Sequence, residues 1–258
     1  MPPDETAAPL APPVLRLADF DAMLFDLDGV VTHTPHVHAA AWKDMFDDFL
    51  REYADRHGVV VEPFDPEVDY FIHVDGLERN EGIRSFLTSR GIHIPYGTPR
   101  DPAGAETICA VGSRKNGYFK RHLAHHGVEV FESTLDLIRR LRAAGQKIAV
   151  VSASRSSDAI MRKAGVLRMF DLRLGGVEIK AMGLDGKPAP DPFVKAAELL
   201  GVPPRRTAVF EDSIAGVQSG RAAEAGLVIG IDRRNDPDAL RRAGADVIVT
   251  DLAELRVE

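Results

Sequence analysis

The stretch "MLFDLDGVVTHTPHVHAAAW", residues 23 to 42, ends an apolar run in two aspartates one residue apart. It then passes through a glycine, two threonines and three histidines into a helical pattern. "DAMLFD" (21 to 26) reads as a short buried strand. Residues two apart on extended chain project to the same side, so Asp26 and Asp28 repel unless something positive lies beside them. A strand that ends this way asks for a cation at its tip.

Outward from that strand, apolar runs recur at the spacing of strand and helix units: "KIAVVS" (147 to 152), "TAVFED" (207 to 212), "LVIGID" (227 to 232) and "DVIVT" (246 to 250). Helical patterns lie between them, as in "TLDLIRRLRAAG", where Leu135, Ile138 and Leu141 share one stripe and Gly145 is a stop. The spacing predicts an α/β fold, a Rossmann-like doubly wound parallel sheet covered on both faces. Residues 33 to 130 differ, with helical periodicity through Trp42, Phe46, Phe49 and Tyr53, no clear strands, and a Gly/Pro loop "GIHIPYGTPRDPAGAE". The expected organisation is a disordered Pro/Ala-rich tail over 1–17, an α/β core over 18–32 and 131–258, and an inserted helical cap domain over 33–130.

The chain has 258 residues, 45% hydrophobic and 28% charged, with a formal net charge of −7. A chain of this size buries roughly 70% of the surface its unfolded form exposes. The acidic balance, with no Lys/Arg cluster, argues against a nucleic-acid partner. Cys109 is the single cysteine, which excludes an internal disulfide and a cysteine zinc cage and makes the cytoplasm the expected compartment. The N-terminus lacks a basic start followed by an apolar core, and no run reaches the roughly 18 apolar residues of a membrane span.

In an open parallel sheet ligands gather beyond the carboxyl ends of the strands. Asp26 and Asp28, Ser152 and Ser154, and Glu211 and Asp212 fall at such ends, with Lys187 in the loop "GLDGKPAPDP". Mg²⁺ takes oxygen ligands in octahedral geometry; Asp26 and Asp212 supply fixed carboxylates, and Asp28 and Glu211 complete the acidic set. Glu211 binds the ion, holds a ligand water, or shapes the turn. Lys187 can hold a phosphate beside Asp26, while Ser152 and the backbone N–H groups after it, at Ala153 and Ser154, can donate to its oxygens. Ser154 is alternatively an N-cap for "SSDAIMRKAG". Such a set suits phosphoryl transfer, with Asp26 as nucleophile forming an acyl phosphate and Asp28 as general acid/base.

The segments "FDLDGVVT", "VVSAS", "GKPAPDP" and "FEDSIAGV" resemble, in order, the four motifs of the haloacid dehalogenase superfamily. More narrowly, "THTPHVHAAAW", "GLERNEGI" and "SRKNGYF" resemble cap segments of the β-phosphoglucomutase family. The resemblance implies Thr34 at the cap hinge, His38 reaching the acid/base, Arg79 gripping the phosphate that is not transferred, and Lys115 and Asn116 touching a sugar phosphate. On residues alone, His38 reads as a satisfied structural histidine. The implied activity is Mg²⁺-dependent interconversion of β-D-glucose 1-phosphate and glucose 6-phosphate by a monomer, with a dimer left open. A sugar-phosphate phosphatase and a catalytically silent phosphate-binding protein are the alternatives. Two departures stand out: His33 occupies a position that is acidic in the resembled family, and a loop over 91–107 lengthens the cap.

Overall fold

The computed structural model describes residues 12–258, so the expected tail over 1–11 lies outside the described residues. In chain order the strands are β1 (Val14–Leu15), β2 (Ala22–Phe25), β3 (Lys147–Val151), β4 (Leu172–Leu174), β5 (Thr207–Glu211), β6 (Leu227–Ile231), β7 (Val247–Val249) and β8 (Arg256–Val257). The helices are α1 (Pro35–His57), α2 (Arg79–Ser89), α3 (Ile108–His126), α4 (Glu132–Ala143), α5 (Ser157–Lys163), α6 (Gly176–Ala181), α7 (Asp191–Leu200), α8 (Ile214–Ala222) and α9 (Pro237–Ala243).

β2 is fully buried along its length and sits at the middle of a parallel sheet of order β4-β3-β2-β5-β6-β7. Period-two alternation distributes its side chains between two cores. Met23 and Phe25 join Ile148, Val150, Phe210 and Ile229 on one face; Leu24 joins Ala149, Val151, Val209 and Val228 on the other. Phe25 and Phe210 are paired in register, and their rings stack with centroids 4.2 Å apart. Helix α4 covers the first face with Leu135, Ile138 and Leu141, and α7 covers the second with Phe193 and Ala196. The chain passes from β2 to β3 and β4 on one side, then crosses to β5, β6 and β7 on the other. The crevice beyond the ends of β2, β3 and β5 is therefore the switch point at which such sheets bind ligands.

The aromatic periodicity of α1 has its own destination. Trp42, Phe46 and Phe49 pack with Phe64, Phe86 and Ile83 in a third apolar cluster formed with α2 and α3. A π-helical turn (Tyr70–Val74) precedes the loop at Asp75 and Gly76. Residues 91–107 hold no helix or strand, but Asp101 fastens them by accepting from the Thr98 amide at 3.0 Å and the Thr107 hydroxyl at 2.7 Å. Among the described residues no helix is long and apolar enough to cross a membrane.

The boundary of the expected tail at residue 17 needs correction. β1 pairs in parallel with β8 at the far end of the chain, Leu15 is wholly buried, and the Leu17 amide donates to the Glu258 carbonyl at 2.7 Å. The neighbouring Pro12 and Pro13 read as tail composition, whereas the partner that makes a strand of Val14 and Leu15 lies some 240 residues away, beyond any local pattern. Leu15→Ala should lower unfolding free energy by about 2–4 kcal/mol at an unchanged denaturant slope. A urea titration showing a change under about 0.5 kcal/mol would return these residues to the tail.

Candidate active site

The end of β2 delivers Asp26, whose amide still bonds the sheet through the Phe210 carbonyl at 2.9 Å. A tight turn follows. The amides of Val31 and Thr32 both reach the Leu27 carbonyl at 2.9 Å, and the Gly29 amide bonds Thr32 O at 2.8 Å. Gly29 has φ 91°, and a Cβ there would lie 1.8 Å from the Asp212 carboxylate. Only glycine lets this backbone pass over the acid.

Lys187 is the counter-charge. Its buried ammonium donates to Asp26 Oδ1 at 2.6 Å, Glu211 Oε1 at 2.5 Å and the Val151 carbonyl at 2.9 Å, which uses all three protons. Burial works against the charge, yet the two carboxylates outweigh it and hold the lysine above its ordinary pKa. Glu211 Oε2 accepts from the Asp212 amide at 3.1 Å and from Ser213 N and Oγ at 3.2 and 3.0 Å. Of the three readings of Glu211, this geometry favours a turn and lysine anchor.

Carboxylate oxygens of Asp26, Glu211 and Asp212 all lie within 4.8 Å of one another. Burial pushes the Asp26 and Asp212 carboxyls up; Lys187 pulls Asp26 down, while neighbouring acids push both further up. An oxygen-only donor set with excess negative charge fits a hard divalent cation. Asp28, expected among the cation's residues, does not join this cluster. Its carboxylate turns toward α1, where it accepts from Thr34 Oγ1, from Ser152 Oγ at 3.4 Å and faces His38 Nε2 at 3.3 Å. The two carboxylates thus face different partners, although the charge of Asp28 still helps to push the Asp26 carboxyl up. Although burial opposes it, the His38 and Thr34 contacts hold the Asp28 carboxyl below its ordinary pKa.

His38 and Thr34 are both buried. His38 Nε2 makes no hydrogen bond to Asp28, while His38 Nδ1 lies 2.8 Å from Lys115 Nζ; burial and then Lys115 pull the imidazole pKa down. Lys115 rests over Trp42 and Phe119, 4.8 and 4.9 Å from their ring centroids. Burial first, then Arg79, brings its pKa down to about 7. Arg79 Nη1 donates to the Gly112 carbonyl at 2.6 Å, and its Nε is buried without a partner among the described residues. Burial and then Arg155 pull the guanidinium down to about 10. Asn116, Ala153 and Ser154 line the same crevice as Asp26. Ser154 Oγ accepts from the Ser156 amide at 3.2 Å, which bends the chain ahead of α5; the N-cap position itself is Ser156.

Two crevice residues escape sequence reasoning. Arg155 follows the "VVSAS" segment directly, and a basic residue beside an anion-binding turn is a readable signal. Asp75 is a lone acid in the helical region, raised to about 7 by burial and then Glu211, and only the fold brings it to Asp212.

A family model described as haloacid dehalogenase-like hydrolase matches residues 20–224. A β-phosphoglucomutase from Mycobacterium bovis is 48% identical over 237 residues, covering 91% of this chain and 90% of that protein. Among solved structures, a Clostridium difficile β-phosphoglucomutase has a TM-score of 0.71 at 21% identity, covering 92% of this chain and 93% of its own. CbbY from Rhodobacter sphaeroides, solved with xylulose-(1,5)bisphosphate, has a TM-score of 0.69 at 25% identity, covering 92% and 97%. The chain belongs to the haloacid dehalogenase-like hydrolase family and is an enzyme, a mutase or a phosphatase.

Proposed function

We propose that this enzyme is an Mg²⁺-dependent β-phosphoglucomutase that interconverts β-D-glucose 1-phosphate and glucose 6-phosphate through an aspartyl phosphate. The observation that supports the reading is a crevice with positive charge or hydrogen-bond donors at two places, Ser152 with Lys187 beside Asp26, and the Arg79–Arg155 pair, each suited to an anion. A mutase needs both, because it must release a bisphosphate, turn it over and rebind it by the other end.

Asp26 and Asp212 would hold the Mg²⁺ ion, which would supply charge neutralisation for the incoming phosphoryl group. Asp26 attacks phosphorus. Ser152 Oγ and the Ala153 amide receive the equatorial oxygens, and Lys187, whose protons are held by protein acceptors, supplies positive charge beside them. Asp28, kept ionised by His38 and Thr34 in the free enzyme, takes the proton of the sugar hydroxyl that accepts the phosphoryl group from the phospho-enzyme, and returns that proton to the leaving oxygen when the turned bisphosphate hands its other phosphoryl group to Asp26. Arg79 and Arg155 grip the phosphate that stays behind, with the planar fork suited to it. His38, Lys115 and Asn116 meet the sugar. Residues 33–130 act as a cap that excludes water during transfer. A second reading, a phosphatase acting on a sugar bisphosphate, draws on the CbbY relative and would use the same two ends with water as acceptor.

Incubation with β-glucose 1-phosphate, a trace of the 1,6-bisphosphate and Mg²⁺ should yield glucose 6-phosphate; free phosphate equal to the substrate consumed would favour the phosphatase. Asp26→Asn should cut both activities by more than about 10³-fold with the fold intact by circular dichroism. Arg79→Ala should lower mutase flux by about 10²-fold yet hydrolysis of a small aryl phosphate by less than about 3-fold. Equal losses would remove the distal anion site.

Lys115 gives a pH prediction. Its folded pKa of about 7 lies below the ordinary 10.5, so between those values the unfolded chain binds the extra proton and stability rises with pH. The cost of burying the charge is fully present below about pH 7 and fades toward about 10.5. In the absence of Mg²⁺ and phosphate, Lys115→Met should therefore be more stable than wild type near neutrality, by the order of 1–3 kcal/mol. Urea unfolding at about pH 9.5 should show that advantage shrinking.

A further inference from the structure

The crossing between core and cap carries an assembly of its own. The chain leaves the core at His33 and returns at Phe131. Thr32 and Val130 form an antiparallel bridge, the His33 amide donates to Glu129 O at 2.9 Å, and the Phe131 amide donates to Val31 O at 3.1 Å. The rings of His33 and Phe131 stack with centroids 3.5 Å apart and planes 27° from parallel. Onto Phe131 falls a third layer, the guanidinium of Arg233, whose Cζ lies 3.7 Å from the ring centroid.

Arg233 stands just beyond the end of β6 and reaches back across the sheet. Its Nε donates to the Gly29 carbonyl at 2.9 Å and its Nη1 to the Thr250 carbonyl at 2.9 Å. Gly29 follows Asp28 directly and runs against the Asp212 carboxylate. A glycine at φ 91° has no side chain to hold it and a wide choice of conformations. The turn is fixed from inside by Gly29 N on Thr32 O and from outside by Arg233. Arg233 does not line the crevice at Asp26; it lines a neighbouring cavity with Asp75 and Asp212, where its charge pulls the Asp212 carboxyl down, an effect that a lysine in its place keeps and the bond to Gly29 does not need.

We propose that Arg233 is a positioning residue for the transfer step: its guanidinium fork fixes the Gly29 carbonyl, and with it the Asp28 loop, to the Phe131–His33 stack at the hinge. The orientation of the proton carrier is thereby tied to the position of the cap. A charge-assisted bond to a carbonyl combined with stacking on an aromatic ring needs the planar, forked guanidinium, and an ammonium cannot reproduce it. The inference rests on Asp28 acting as acid/base, and so deepens the proposed mechanism.

The experiment compares Arg233→Met, Arg233→Lys, Phe131→Leu and the double variant Arg233→Met/Phe131→Leu. Rates are taken well below each melting temperature and normalised to folded protein. Arg233→Met should lower kcat by about 10- to 100-fold with KM within about twofold, since a loop displaced by an ångström costs rate and not binding. Arg233→Lys should recover less than about a third of the lost activity. Phe131→Leu should cost less than Arg233→Met, and the double variant should be no slower than Arg233→Met alone, because both changes break one tie. Multiplicative losses in the double variant, full recovery by Arg233→Lys, or an unchanged kcat in Arg233→Met would overturn the inference. Asp26→Asn separates the two readings. Turnover by that variant defeats the mechanism itself, whereas a silent Asp26→Asn beside a fully active Arg233→Met defeats only the role of Arg233.

Discussion

The site depends on a buried ammonium. Lys187 sits between Asp26 and Glu211 with its third proton on the Val151 carbonyl. Removing three charges from water is costly, and only complete hydrogen bonding makes such a cluster tolerable. Each partner here lies at a strand end. Asp26 directly follows β2, Val151 ends β3 and Glu211 ends β5, so the lysine fastens the three central strands at their carboxyl ends. Fold and chemistry share this one contact set. The order β3-β2-β5 brings the three acceptors within reach of a single side chain.

Around that ammonium, small residues set the tolerances. Gly29 lets the turn after β2 press on Asp212, and Gly216 at the start of α8 lets that helix close over Glu211, where a Cβ would lie 1.8 Å from the carboxylate. The two aspartates of the turn then separate in role because they separate in direction. Asp26 looks into the acidic cluster, and Asp28 looks toward Thr34, His38 and Ser152. The electrostatics follow: burial and like charges raise one carboxyl, and cationic and hydroxyl donors lower the other.

Much of this is legible along the chain because it is local. Strands of four or five apolar residues, each ended by a polar pair, announce both the sheet and the positions of Asp26, Ser152 and Glu211. What escapes is whatever two distant segments make together. β1 exists only because β8 returns to it, and β4 is three residues of mixed character, "LRL", that become a strand beside β3. Period-two geometry puts Asp28 on the side of Asp26 and into the cation set, but the chain has already left the strand there, and the turn rotates the carboxylate away. Asp75 and Arg233 have no local signature at all. Their surroundings are assembled by the cap and by the end of β6.

The charges of the crevice are divided between its two walls. The core wall holds Asp26, Glu211 and Asp212 against one lysine, and the Asp26 and Asp212 carboxyls are raised. Facing it are Arg79 and Lys115, joined by Arg155 from the loop after β3, and the pKa values of Arg79 and Lys115 are lowered. Each set carries a desolvation cost that its own partners do not offset. Under the proposed mechanism a divalent cation would relieve the first and a phosphate group the second, and the fold would gain stability from both by mass action. Neither ligand alone serves both walls. A cation leaves the basic side unsatisfied, and a phosphate without a cation meets the carboxylates of the core. The proposed mechanism would therefore bring the two ligands in together, which is when transfer to Asp26 is useful and water is best kept out.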